Sequence, residues 1–155
     1  MKPRIIYKPA FTLIGIWSNE NPSPKSVDAQ WERLGERYAE IPGVDPDQGY
    51  GVHVKNGDEE KYLAGLMVRE GITEGKVPDG MSVLSIEAQA YAVFHHFGRM
   101  DRFDTTIENI FAKWLPASGL KTTENFYFEY YDDQFSPDAD DSLLFIYIPT
   151  KELAT

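Results

Sequence analysis

The chain carries the same helical stripe twice. Val27, Trp31, Leu34 and Tyr38 fall at i, i+4, i+7 and i+11, and Phe103, Ile107, Ile110 and Trp114 repeat that spacing 76 residues further on. Apolar residues at this period mark the buried face of an amphipathic helix. Each stripe ends at a proline and glycine stop, Pro42-Gly43 and then Pro116 with Gly119, and each stop leads into an aromatic, strand-like stretch. Two copies of a small unit build one domain with a seam between them, and a seam is a natural place for a ligand.

The strands follow from alternation and turn chemistry. Phe11 to Trp17 reads as a strand, and Asn19 to Ser26, with Pro22 and Pro24, as a loop whose Ser26 caps the first helix. Tyr50 to Val54 and Tyr62 to Val68 read as an antiparallel pair joined through the turn Asn56-Gly57-Asp58. Residues 70 to 87, with Gly71, Gly75, Pro78 and Gly80, form a connector in which Met81 to Ile86 is a short edge strand. The second copy runs through the strand Tyr91 to Phe97, a helix capped by Asp101 with Asp104 three residues on, and the strand Phe126 to Tyr131. A polar, solvated hairpin loop, Asp132 to Asp141, then leads to Leu143 to Ile148, which Pro149 ends. The 155 residues suit a single domain. The predicted fold is α+β: two βαββ units, about residues 5 to 70 and 88 to 151, in a pseudo-twofold tandem. Their mixed, mainly antiparallel sheet carries two helices on one face and a ligand groove on the other.

Side chains alternate between the faces of a strand. Leu144, Ile146 and Ile148 are purely aliphatic and belong under a helix, with Ala64, Leu66, Val68, Ile14, Ile16, Ala92 and Phe94. The alternate residues are assigned to the groove, among them Met67, Trp17, Tyr91, His95, Phe145 and Tyr147. Glu129 lies inside an aromatic run with Tyr127 and Tyr131 on its own face. A lone buried carboxylate is costly, so it is paired, protonated or wet, and among aromatic rings it suits a lipophilic cation. By the repeat offset His53 is the counterpart of Glu129 and is placed across the groove from it. The candidate ligand-binding set is therefore Glu129, Trp17, Tyr91, Tyr127, Tyr131, Phe145, Tyr147, Met67, His95 and His53.

Composition excludes several other chemistries. The 25 acidic against 15 basic side chains leave a net charge of −10, which disfavours nucleic acid as a partner. There is no cysteine for thiolate metal sites, disulfides or nucleophiles. Adjacent His95 and His96 point to opposite faces, so no metal site is expected, and no nucleotide or serine-hydrolase motif implies a cofactor or catalytic serine. The N-terminus lacks a signal-peptide apolar run and no stretch reaches transmembrane length, so a cytoplasmic protein without a membrane partner is expected.

The ordered motifs Tyr91-Ala92-Val93-Phe94-His95-His96-Phe97-Gly98, Trp114-Leu115-Pro116-Ala117-Ser118-Gly119, Phe128-Glu129 with Tyr131, and Ile146-Tyr147-Ile148-Pro149 carry a resemblance. Tyr50-Gly51-Val52 and Tyr62-Leu63-Ala64-Gly65 of the first copy agree less sharply. Over roughly residues 5 to 151 the chain resembles the GyrI-like small-molecule-binding superfamily. That group includes effector-binding domains of AraC-type and MerR-type regulators, gyrase-inhibitory proteins and integron-cassette drug-binding proteins. The resemblance implies paired βαββ units with a cleft on the sheet side away from the helices, and a strand glutamate, here Glu129, that contacts cationic ligands. Many relatives carry glutamates where this chain has Phe145 and Met67, which implies a less acidic groove and an aromatic monocation or a neutral ligand.

The chain lacks a helix-turn-helix segment and so reads as a binding module standing alone. The leading expectation is a non-enzymatic binder of a lipophilic, cationic small molecule, acting as a monomer or as a homodimer through the Met81 to Ile86 edge. Two alternatives stay open. One is a hydrolase of reactive electrophiles with Glu129 as its catalytic general base. The other is a protein-interaction module such as a gyrase modulator, its acidic surface meeting a basic partner.

Overall fold

The computed structural model describes residues 1–69 and 76–152, so Gly71 and Gly75 of the expected connector lie outside the described residues. The first copy runs β1 (Arg4–Lys8), β2 (Phe11–Trp17), α1 (Pro24–Arg37), β3 (Val44–Asn56) and β4 (Glu59–Val68). The second runs β5 (Ser82–Ile86), β6 (Gln89–Phe97), α2 (Phe103–Asn109), a π-helical stretch Ile110–Trp114, α3 (Leu115–Ala117), β7 (Leu120–Thr122), β8 (Phe126–Tyr131) and β9 (Leu143–Glu152). Among the described residues nine strands form a sheet in the order β1-β6-β9-β8-β3-β4-β2-β5, with β7 on the end of β9. Every pair is antiparallel, so the sheet is not mixed.

The order reads as a palindrome of the two copies. β3 pairs with β8 at the centre, where Val52 faces Phe128, a residue and its own repeat counterpart. The pseudo-twofold axis passes through that pair. Outward from it, β4 and β2 mirror β9 and β6. The outermost strands are exchanged: β1 of the first copy pairs with β6 of the second, and β5 of the second with β2 of the first. β1 has no forecast in the sequence pattern, and the two edge strands make each copy ββαββ rather than βαββ, the second with the short β7 added after its helix.

Local chemistry sets the boundaries. Ser23, not Ser26, caps α1: its side chain accepts from the Ser26 amide while the Ser26 hydroxyl accepts from the Ser23 amide. Pro24 at the first helical position fits because its missing N–H would have had no partner there. Asp101 caps nothing; it sits in a 3₁₀ turn, Met100–Arg102, that leads into α2 without a side-chain cap. Gly43 and Gly119, 76 residues apart, both take positive φ where each helical segment turns back to the sheet. Pro149 does not end its strand. β9 runs on to Glu152 because β7 supplies partners for Thr150 to Glu152.

Three apolar clusters hold these layers. Leu34 with Val27 and Trp31 of α1 packs on Ile14, Ile16, Ala64 and Leu66. Ile110 and Leu115, with Phe103, Ile107 and Trp114, pack on Ala92, Phe94, Ile146 and Ile148. Each helical stripe thus covers the aliphatic strand set assigned to it. The sheet curls so that its opposite face closes on itself around Leu13, Tyr50, Val52, Leu63, Tyr91 and Phe128. Gln30, buried under α1, donates to the carbonyls of Ile16 at 2.9 Å and Tyr62 at 3.0 Å, pinning that helix to β2 and β4. Among the described residues no helix is long and apolar enough to cross a membrane.

β2 and β4 approach closely at Gly15, which faces Gly65 in register. A Cβ built on Gly15 would stand 2.0 Å from the Ala64 carbonyl oxygen and 2.6 Å from the Gly65 Cα, both backbone atoms that cannot swing aside. Gly15→Ala is expected to destabilise the fold by about 3 kcal/mol, read as a lowered urea midpoint. An unchanged midpoint would contradict this packing.

Candidate functional site

Each helix covers the outer strands of its own copy, which leaves β3 and β8 only partly covered at the seam on the helix-bearing face. The cavity there has a volume of about 940 Å³. Its base is Glu129, Tyr127 and Tyr131 of β8, with Gly49 and His53 of β3 and Tyr62 of β4. The walls come from Pro22 to Pro24 and the start of α1 on one side, and from Met100, Phe103 and Asp104 on the other. The β8–β9 hairpin adds Asp132, Asp133, Phe135 and Pro137, and a register shift in β3 between Val44 and Gly49 brings Pro46 and Asp47 to the rim. The hairpin is therefore a wall as well as a solvated turn. It is tied back to the other wall by the Met100 amide, which donates to the Pro137 carbonyl at 3.1 Å.

Register explains the face. Glu129 stands beside Gly51 and Ile146, and Gly51 beside Ala64, so all four point toward the helices. The expected groove on the opposite face is filled instead by packed side chains. Of the ten predicted ligand-binding residues, Glu129, His53, Tyr127 and Tyr131 meet in the cleft. The remaining six, Trp17, Tyr91, Phe145, Tyr147, Met67 and His95, belong to the other face, where Tyr91 is wholly buried and His95 exposed. Phe145 and Met67 thus say nothing about the charge of this cavity.

Small residues make the base deep. Gly51 lies under Tyr62, whose hydroxyl would be 2.3 Å from a Cβ there, and Gly49 lies under Trp31 at 3.2 Å. Sequence reasoning read Trp31 as helix core only and passed over Tyr62. Two signals were available: an indole N–H on a buried stripe needs a partner, and Tyr62 shares its strand face with Ala64 and Leu66. In the structure the Trp31 Nε1–H donates to the Tyr62 hydroxyl at 2.8 Å.

Glu129 is 3% exposed and held at both oxygens. The Nε2–H of His53 donates to Oε1 at 2.7 Å, and the Tyr131 hydroxyl donates to Oε2 at 3.2 Å. His53 is itself fixed, stacked on Tyr127 at 4.6 Å between centroids and edge-on to Tyr62 at 4.9 Å. Among the described residues seven carboxylates line the cavity, Asp28, Asp47, Glu60, Asp104, Glu129, Asp132 and Asp133, and neither lysine nor arginine does. Asp28 and Asp104 are repeat counterparts, one near the start of each helix. Among the described residues no group of three histidine, aspartate or glutamate side chains could hold a metal.

Burial, and after it the Glu129 charge, raises the hydroxyl pKa of Tyr62, Tyr127 and Tyr131 above the ordinary tyrosine range. A raised pKa means the folded state keeps protons that the unfolded chain releases near pH 10. That stabilisation is complete below about pH 10 and is lost as the pH climbs through the folded-state values. The urea midpoint is expected to decline once the pH passes about 10, and a midpoint unchanged at pH 11 would count against buried, neutral tyrosines.

Comparison with known proteins agrees with this architecture. The family described as Cass2, integron-associated effector binding protein, matches residues 4–150. The transcriptional regulator BrlR of Pseudomonas aeruginosa is 34% identical over 152 residues, which span 96% of this chain and 55% of BrlR. The chain thus corresponds to about half the length of that relative. Among solved structures, SAV2435 bound to tetraphenylphosphonium has a TM-score of 0.76 at 17% identity, covering 97% of this chain and 94% of that one. The C-terminal domain of EcmrR has a TM-score of 0.74 at 15% identity, covering 98% of both chains. At these identities the structural likeness is one of fold.

Proposed function

Because the chain belongs to the Cass2 family of integron-associated effector-binding proteins, we propose that its cleft captures hydrophobic small molecules carrying positive charge, with Glu129 as the counter-charge. Small-molecule binding is the general function of such a family. The observation that carries the finer reading is the lining: among the described residues, seven carboxylates, no lysine or arginine, and aromatic rings at the base. A cation entering it loses water but gains a buried carboxylate and ring faces worth about 0.5–2 kcal/mol each. Flat rings and the flexible Met100 side chain suit several ligand shapes rather than one. Tetraphenylphosphonium, the molecule bound to SAV2435, has the matching chemistry of a delocalised cation wrapped in rings.

The alternative, hydrolysis with Glu129 as general base, asks for a water on a carboxylate whose two oxygens already accept from His53 and Tyr131. Binding without turnover fits that arrangement more simply.

Trp31 lines the cleft and Trp17 does not, so Trp31 is the natural reporter. Tetraphenylphosphonium is expected to quench tryptophan fluorescence saturably, and Trp31→Phe to remove most of that response. Glu129→Gln keeps the shape and removes the charge, its amide oxygen still accepting from His53 while its NH2 donates to a reversed Tyr131 hydroxyl. It is expected to weaken binding about tenfold, or about 1.4 kcal/mol. Neutral triphenylphosphine oxide should bind both forms alike. Absence of quenching and of any thermal shift across a panel of lipophilic cations would refute the proposal.

A further inference from the structure

We infer that His53 is a charge-selecting residue, which makes capture of a cation by this cleft dependent on the imidazole's proton. The inference rests on the cation-binding reading above. Its basis is geometric: His53 Nε2 lies 2.7 Å from Glu129 Oε1, and stacking on Tyr127 with an edge contact to Tyr62 holds the ring there. With His53 neutral, the pair presents one net negative charge to the cavity. With His53 protonated, the carboxylate is neutralised from within, and an entering cation meets a resident cation at the same oxygen.

The surroundings isolate this group as the one that matters near neutral pH. Of the three histidines, His53 is the one that lines the cavity. His96 is buried, with Thr106 Oγ1 and the Arg99 carbonyl at its two ring nitrogens, and His95 is exposed on the opposite face. The groups facing His53 are Glu129, Tyr127 and Tyr131 on β8, Tyr62 and Glu60 on β4, Asp28 on α1 and Asp104 on α2. Lys55, two residues along β3, stands opposite Glu60 in register. Unperturbed carboxylates change charge near pH 4 and tyrosines near pH 10, so the interval of about pH 5 to 8 belongs to an imidazole.

The test measures affinity for tetraphenylphosphonium between pH 5.5 and 8 by fluorescence and by calorimetry in two buffers of different ionisation enthalpy. The expected result is a roughly tenfold weakening toward pH 5.5, the limit for one proton over one pH unit. It should be accompanied by proton release on binding wherever the affinity is falling, and by a flat profile in His53→Gln. Neutral triphenylphosphine oxide should show no such pH dependence. If the variant does not fold, the wild-type buffer dependence and an NMR titration of the His53 ring with and without the probe still decide the matter. Tight but pH-independent binding would overturn the role of His53 while leaving the cation reading intact. A pH profile that persists in His53→Gln would move the proton to Glu129 and overturn it as well. Failure of every cation to bind at any pH would instead remove the reading beneath both.

Discussion

The pairing of β3 with β8 is the contact on which the rest depends. It joins the two copies through hydrogen bonds along both strands, from Gly49 opposite Tyr131 to Val54 opposite Phe126. With those strands side by side, each helix packs mainly over the outer strands of its own copy, and a gap remains over the middle of the sheet. The cleft is thus a by-product of symmetry: a ligand-sized space arises where two adequate half-cores meet. Breaking that symmetry in chemistry, with His53 against Glu129 and Gly51 against Tyr127, gives the space its character.

Much of this was legible in the sequence, and for physical reasons. The helical stripes at Val27 to Leu34 and Phe103 to Trp114 encode burial directly, except that Tyr38, the fourth member of the first stripe, falls in a 3₁₀ turn beyond α1 and is exposed. Alternation in Leu143 to Ile148 named the aliphatic face correctly. The repeat offset placed His53 near Glu129, and they are hydrogen bonded. What alternation cannot supply is phase between strands. Nothing in Phe126 to Tyr131 alone says whether Glu129 shares a face with Ile146 or with Phe145. One register decides it, and Glu129 beside Ile146 moved the aromatic carboxylate site to the helix side.

The same ambiguity explains the residues that were misplaced. Trp17, Tyr91, Phe145 and Tyr147 looked like ligand walls because they are large, aromatic and off the aliphatic face. A strongly curled sheet needs such side chains to fill its own hollow, and Phe128 stacked on Tyr147 at 4.9 Å shows them doing so. Trp31 and Tyr62 escaped notice for the converse reason: core packing and cavity lining impose the same pattern on a helix stripe. The acidic rim was hidden differently. Asp28, Asp104 and Asp132 lie far apart in sequence and are gathered only by the closed fold.

The exchanged edge strands have a consequence for the history and assembly of such a chain. A single copy on its own would have a first strand with no place in its own sheet, and its main strand would lack an outer neighbour. Two separate copies could satisfy each other only by lending those strands reciprocally, as an interlocked homodimer does. Joining them in one polypeptide turns that mutual dependence into an intramolecular one. Its cost is that β1 must find β6 across some 85 residues of chain, so closure of the edges waits on contacts distant in sequence and cannot be finished by either half alone.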